Sequence, residues 1–168
     1  MSEMNIQVDE NDKVIGLRPR EDFYGGKIIH RASHLLLFNS KNELLIVKRS
    51  SNKRWYPGLY AFSVSGTVKN ETYNECLQRE MVEEIGIDVP FKKLFTFRHF
   101  DDSVNAFATL YSAISDQEIN TEEREIADVS WVTLEWLKED IVSNPKKYTH
   151  PFLQGMKIYW EKYGVKLA

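Results

Sequence analysis

The chain has a single cysteine, Cys76, so it cannot form an internal disulfide, and a chain without such staples suits a reducing compartment. It also lacks any apolar run approaching the roughly 20 residues that span a bilayer. The opening stretch MSEMNIQVDENDK is acidic and has no apolar core, so the sequence predicts neither a secretory signal nor a membrane anchor. A cytoplasmic protein is the expectation. No charge sign dominates: 22 Lys and Arg against 25 Asp and Glu leave a formal net charge of −3. Nothing therefore draws the molecule as a whole to a nucleic-acid polymer or an anionic membrane. With no internal repeat, low-complexity tract or Pro/Gly/Ser-rich linker, the 168 residues read as one domain, 1–168, whose 42% hydrophobic content suffices for a core.

What is present is a series of short β-type runs and a few helical ones. NIQV and KVIGL flank the polar turn DEND and predict a hairpin. HRASHLLLFN (30–39) and ELLIVKRS (43–50) read as strands joined by the turn-forming NSKN, and LYAFSVSG (59–66) follows a Pro57-Gly58 turn. KKLFTFRHF, NAFATLYSAI and a short DVSWV complete the strands. Helices are predicted over 72–85, about 134–142 and from about 150, the last with Thr149 as N-cap and Pro151 in its first turn. Many strands, one central helix and two late ones predict an α/β fold with a mixed β-sheet sandwiched between α-helices.

The central helix carries REMVEEIG, in which Glu80, Glu83 and Glu84 crowd together although like charges at i,i+4 repel. At about 100° per residue from Glu80, the apolar stripe of Tyr73, Cys76, Leu77, Met81 and Ile85 centres near +60°, with Glu84 near +40° and Glu83 near −60°. Glu84 thus falls within the apolar stripe and Glu80 on its border. A carboxylate beside core residues must be paired or bound to a cation to offset its lost hydration. Arg79 reaches Glu83 at i,i+4, but one guanidinium cannot neutralise three acids. A hard dication can, and an all-oxygen ligand set favours Mg²⁺, with Mn²⁺ as substitute.

Residues 65–87, SGTVKNETYNECLQREMVEEIGI, resemble the signature of the Nudix hydrolases: Gly, five residues, Glu, seven residues, Arg-Glu, a hydrophobe, any residue, Glu-Glu, any residue, Gly, a hydrophobe. From Glu71 onward each specified position is matched, through Arg79-Glu80, Met81, Glu83-Glu84, Gly86 and Ile87. Only four residues separate Gly66 from Glu71, so either Ser65 takes the glycine's place or the loop is one residue shorter. The outer segments VDENDKVIGLRPRE, IIHRASHLLLFN, LLIVKRSSNKRWYPGLY and ADVSWVTLEWL are similar to the subgroup related to isopentenyl diphosphate isomerase.

The resemblance implies a Nudix fold with Mg²⁺ held by Glu80, Glu83 and Glu84, a backbone carbonyl from Ser65 or Gly66 in the same shell, and Arg79 orienting a glutamate. It implies hydrolysis of a phosphoanhydride in a nucleoside diphosphate linked to another group, with a carboxylate as base; Glu125, then Glu122, from NTEEREIADVSW is the candidate. A solvated acidic loop accounts for these acids and Glu123 equally well. Arg49, Arg54 and Trp55 are the expected substrate contacts, with Lys48, Lys53, Tyr56, Phe97 and Phe100 as further cations and aromatics near a strand end. Isomerase activity is the rival reading, but Ser65 and Thr67 stand where that enzyme has its cysteine and metal-binding histidine, while His30 matches another of its histidines. A non-catalytic nucleotide-binding module is the other alternative. The expected partner is a small diphosphate substrate, and a homodimer is left open.

Overall fold

A computed structural model describes residues 2–168. The elements in chain order are β1 (Met4–Val8), β2 (Val14–Pro19), a 3₁₀ turn (Arg20–Phe23), β3 (His30–Phe38), β4 (Glu43–Arg49), β5 (Tyr60–Ala61), β6 (Val64–Thr67), α1 (Tyr73–Ile85), β7 (Lys92–Phe100), β8 (Asn105–Ile114), β9 (Ile126–Thr133), α2 (Leu134–Ser143), a second 3₁₀ turn (Pro145–Lys147) and α3 (His150–Tyr163). The nine strands form one sheet, mixed because β3 pairs in parallel with β8 while its other partners are antiparallel. No helix among the described residues is long and apolar enough to cross a membrane.

Strands β3 and β4 are nearly continuous apolar runs because both faces of the sheet are covered. Successive side chains alternate between the faces. Ala32, Leu36 and Phe38 of β3, with Leu44 and Ile46 of β4, meet Leu134 and Leu137 of α2 and Phe152, Met156 and Tyr159 of α3. Leu35, Leu37, Leu45 and Val47 point the other way, onto Leu77, Met81 and Ile85 of α1. The α/β sandwich expected from the sequence is the observed architecture.

The run 59–66, expected as one strand, is two short strands with different partners. Ala61 pairs with Val47 of β4, whereas Val64 pairs with Leu35 of β3. Strands β3 and β4 meet at Phe38 and Leu44 and then diverge, so the incoming chain serves first one and then the other. Ser63 stands at the switch, its Oγ accepting from the Leu37 N–H at 2.8 Å and donating to the Leu45 carbonyl at 2.6 Å. This buried hydroxyl satisfies backbone groups that a continuous ladder would otherwise have paired.

Candidate active site

Helix α1 is fixed at both ends. Thr72 Oγ1 accepts from the Glu75 N–H at 3.2 Å and the Glu75 carboxylate accepts from the Thr72 N–H at 2.8 Å, a reciprocal capping box. Gly86 closes the helix in the left-handed region at φ 71°. The loop before β9 then docks on this end: Asn120 and Glu122 donate their N–H groups to the carbonyls of Ile85 and Glu84, each at 3.1 Å. That contact carries Glu122 and Glu125 over to the helix.

Between those ends the helical turn sorts the three acids by depth. Glu84 is buried at 6% exposure, Glu80 keeps 15% of its side chain exposed and Glu83 keeps 54%. Arg79 lies among them, giving Nη1 to Glu80 at 2.6 Å and to Glu83 at 3.2 Å, while Nε and Nη2 grip both oxygens of Glu71 at 3.1 and 2.5 Å. Its guanidinium is thus fully engaged in positioning carboxylates. Glu84 has no cationic partner in direct contact; its Oε2 accepts from the Ser65 N–H at 3.1 Å. Burial, reinforced by the neighbouring Glu80 charge, pushes its carboxyl up to about 8. Burial likewise raises Glu80, against the pull of Arg79.

Gly66 is shaped for this cluster. A Cβ built there would lie 2.2 Å from Glu80 Cγ and 2.9 Å from its Oε1, so the β6 backbone approaches the glutamate only because no side chain intervenes. The two residues between which the sequence left the metal-shell carbonyl open therefore do different things: Ser65 holds Glu84 through its amide, and Gly66 makes room for Glu80. Gly66→Ala is expected to displace Glu80 and lower turnover by about 10- to 100-fold, as loss of a ligand's supporting neighbour does, with the melting temperature showing whether the fold persists. Buried acids, a backbone cradle that a methyl would fill and an all-oxygen donor set together fit Mg²⁺ or Mn²⁺.

A cavity of about 390 Å³ opens beside the acids, and Glu80, Glu83, Glu84, Glu122, Glu125, Ser65 and Gly66 all line it. Arg49, Lys53, Lys69 and Arg20 bring positive charge to the same space. Arg49 spends its Nε on the Trp55 carbonyl at 2.9 Å, leaving its terminal nitrogens without a hydrogen-bond partner among the described residues. Lys53 pairs with Glu125. The rest of the lining is largely apolar, because Ala32, Ala61, Ala106 and Ala108 are too small to fill the room between the sheet and Phe62 and Pro151. His30 and His34 also face it; burial, with His99 nearby, pulls both down to about 3, so they are neutral at physiological pH.

The remaining sequence candidates fall differently. Trp55 lines the cavity but already lies flat on His30, 3° from parallel at 5.4 Å, with the Arg20 guanidinium 5.7 Å from its ring centre. Arg54 is outside, exposed over the Tyr24 ring at 5.0 Å. Phe97 belongs to the α2/α3 core, Phe100 is 63% exposed, and Lys48 lies near the end of β4 between Tyr60 and Asp128, none of them lining the cavity. Cys76 is buried between α1 and the sheet. Sequence reasoning passed over Arg20, Lys69, His34, the alanine floor and the His99 region. No local motif marks these; only the pairing of β3 with β6 and β8 brings them together.

The NUDIX domain pattern matches residues 28–152. The prenyl-diphosphate phosphatase of Methanosarcina mazei is 42% identical over 163 residues, covering 94% of this chain and 96% of that protein. An uncharacterized Nudix hydrolase of Pseudomonas aeruginosa is 32% identical, with 94% of each chain covered. The crystal structure of DR0079 from Deinococcus radiodurans superposes with a TM-score of 0.80 at 27% identity, covering 96% of this chain and 99% of that one. The matched span contains the whole glutamate signature, and the relatives align almost end to end with the β1–α3 architecture, so the chain belongs to the Nudix family of hydrolases.

Proposed function

We propose that this Nudix hydrolase cleaves the phosphoanhydride of a small diphosphate whose other end is apolar and prenyl-like, using Mg²⁺, or Mn²⁺ in its place, held by Glu80, Glu83 and Glu84 beside Ser65 and Gly66. The observation that carries the substrate class is the alanine-floored cavity next to the acids, which offers charge for a diphosphate from Arg49, Lys53 and Lys69 and apolar surface for a hydrocarbon tail from Ala32, Ala106, Ala108 and Phe62. The 42% identity to a prenyl-diphosphate phosphatase supports the same reading. For a nucleoside diphosphate linked to another group, the expectation from sequence, a base would stack on an aromatic ring, and the Trp55 face turned to His30 is already taken.

Glu80, Glu83 and Glu84 would hold the dication, whose chemistry there would be to neutralise charge on phosphate oxygens and make water more acidic. The protein's own groups do the rest. The free terminal nitrogens of Arg49, together with Lys53 and Lys69, bind the non-bridging oxygens. Arg79 keeps Glu80 and Glu83 facing the phosphates, and the Ser65 amide keeps Glu84 there. As a phosphate draws Lys53 away, Glu125 is released to accept the proton of the attacking water, with Glu122 as the next candidate. Water adds to one phosphorus, the bridging P–O bond breaks, and a monophosphate and orthophosphate leave. The reading treats residues 1–168 as one domain in the cytoplasm, where a reduced, buried Cys76 is at home. Isomerisation is disfavoured because Ser65 and Thr67 supply neither thiol nor imidazole.

A panel of prenyl and nucleoside diphosphates, assayed for orthophosphate release with Mg²⁺ and again with chelator, tests this. Prenyl diphosphates are expected to turn over at least tenfold faster than nucleotides, with chelation abolishing both. Preference for nucleotides would reverse the substrate assignment, turnover insensitive to chelation would remove the metal, and binding without any hydrolysis would make this a sensor module.

A further inference from the structure

A second cluster lies at the α3 end of the cavity, away from the glutamate helix. His99 on β7 is 1% exposed, Asp101 is in the turn to β8, and His150 begins α3. His99 and Asp101 are oriented by groups behind them. Gln154, one turn along α3 from His150, donates its Nε2 to the Arg98 carbonyl at 2.9 Å, which leaves its Oε1 facing His99 Nδ1 at 3.2 Å. The imidazole therefore carries its hydrogen on Nδ1 and presents a bare Nε2 on the other side. Asp101 gives Oδ1 to the N–H groups of Ser103 and Val104, at 2.7 and 2.8 Å, and turns Oδ2 toward the histidines.

Those atoms face one another without a positive charge between them. His99 Nε2 is 3.3 Å and His150 Nδ1 3.9 Å from Asp101 Oδ2, and the three ligand atoms all lie within 4.8 Å of one another. The Tyr56 hydroxyl has one hydrogen and gives it to Asp101, so it cannot also satisfy His99 Nε2 at 3.1 Å. A lone pair held against a carboxylate oxygen repels it unless a cation intervenes. Tyr56 itself has a left-handed backbone at φ 52°, uncommon for a bulky aromatic and found where the surroundings impose it.

We propose that His99 Nε2, Asp101 Oδ2 and His150 Nδ1 form a second metal site, for a borderline transition-metal dication of the Zn²⁺ class, independent of the glutamate site. Two imidazoles and one carboxylate select such an ion over Mg²⁺. Zn–N and Zn–O bonds of about 2.0–2.1 Å arranged tetrahedrally put neighbouring ligand atoms about 3.3–3.5 Å apart. One of the three pairs already has that spacing, and the other two both involve His150, half-exposed at the helix start, where its side chain can turn to close them. The Gln154 carbonyl behind Nδ1 is the supporting contact that metal-bound histidines require. The ion would join β7, the β7–β8 turn and α3, pinning the cavity wall that Thr149 and Pro151 line.

Chelator-stripped full-length protein, titrated with Co²⁺ in excess Mg²⁺, tests the site apart from the hydrolase reading. One equivalent of Co²⁺ with the visible absorption of a four- or five-coordinate nitrogen/oxygen complex is expected, displaced by Zn²⁺. The same signal is expected in Glu84→Gln and should vanish in His150→Ala. Asp101→Asn, which retains the Oδ1 contacts of the turn, provides a second test should His150→Ala not fold. Absence of the band in wild type, its persistence in a folded His150→Ala or Asp101→Asn, or its loss in Glu84→Gln would each overturn the assignment.

Discussion

Glu84→Gln is expected to lower turnover about a thousandfold while making the metal-free protein more resistant to denaturation. The two effects have one cause. Glu84 is buried and, without an ion, lacks a cation in contact, so its ionised form is costly in the fold. Its carboxyl holds a proton up to about pH 8 when folded but releases it near the ordinary 4.5 when unfolded. Between those values the folded chain binds the extra proton, so stability falls as pH rises through the window and is lowest above it. Glutamine keeps the oxygen that accepts from Ser65 and removes the charge. The gain in metal-free stability at pH 8 is then roughly 2–4 kcal/mol, discounted for relaxation and water entry. On the proposed function the dication would lose a ligand worth several kcal/mol to the transition state, which at about 1.4 kcal/mol per decade gives the thousandfold loss. Chemical denaturation with and without Mg²⁺, beside steady-state rates, measures both. A mutant less stable than wild type without metal, or one that retains its turnover, would show that Glu84 is an ordinary structural acid.

The second large effect concerns the tail of the substrate. Ala108 and Ala106 face the cavity from β8, and their small side chains create its room. Ala108→Leu puts three additional carbons into that room. If a prenyl chain occupies it, about three methylenes of burial are lost at about 0.8 kcal/mol each, or roughly 50-fold in kcat/KM. A diphosphate with a one- or two-carbon alkyl group should be hydrolysed as before, because the acids and Arg49 are untouched. A matched thermal unfolding curve controls for overpacking of the core. Equal losses on long and short substrates would place the tail elsewhere.

The glutamate helix was legible because its information is local: a 3.6-residue period sorts buried from exposed acids, and Thr72 with Glu75 marks the helix start. Strands β7 and β8 were legible for the same reason, as runs bounded by turn residues, and both match their expected limits. Partner choice is not local. Nothing in LYAFSVSG announces that Ala61 answers to β4 and Val64 to β3. In the same way, adjacent cations in KRW cannot reveal that Lys53 turns inward while Arg54 lies over Tyr24. Small residues in strands read as ordinary core, so Ala32, Ala106 and Ala108 gave no hint of a cavity; only their register across β3 and β8 makes them one surface. His99, Asp101 and His150 belong to elements far apart in the chain, which packing alone unites.

The wedge at Ser63 has a bearing on how such a catalyst diversifies. Because one hydroxyl bridges the Leu37 N–H and the Leu45 carbonyl, the spacing of β3 and β4 there is set within the sheet and not by the rim loops. Turns that contribute nothing to the cavity, such as 39–42 between β3 and β4, can then lengthen, shorten or change composition without respacing Glu80, Glu84 and the β6 backbone. Tail selection and bond breaking therefore share one framework, since β3, β6 and β8 carry both the alanine floor and the backbone beside Glu80.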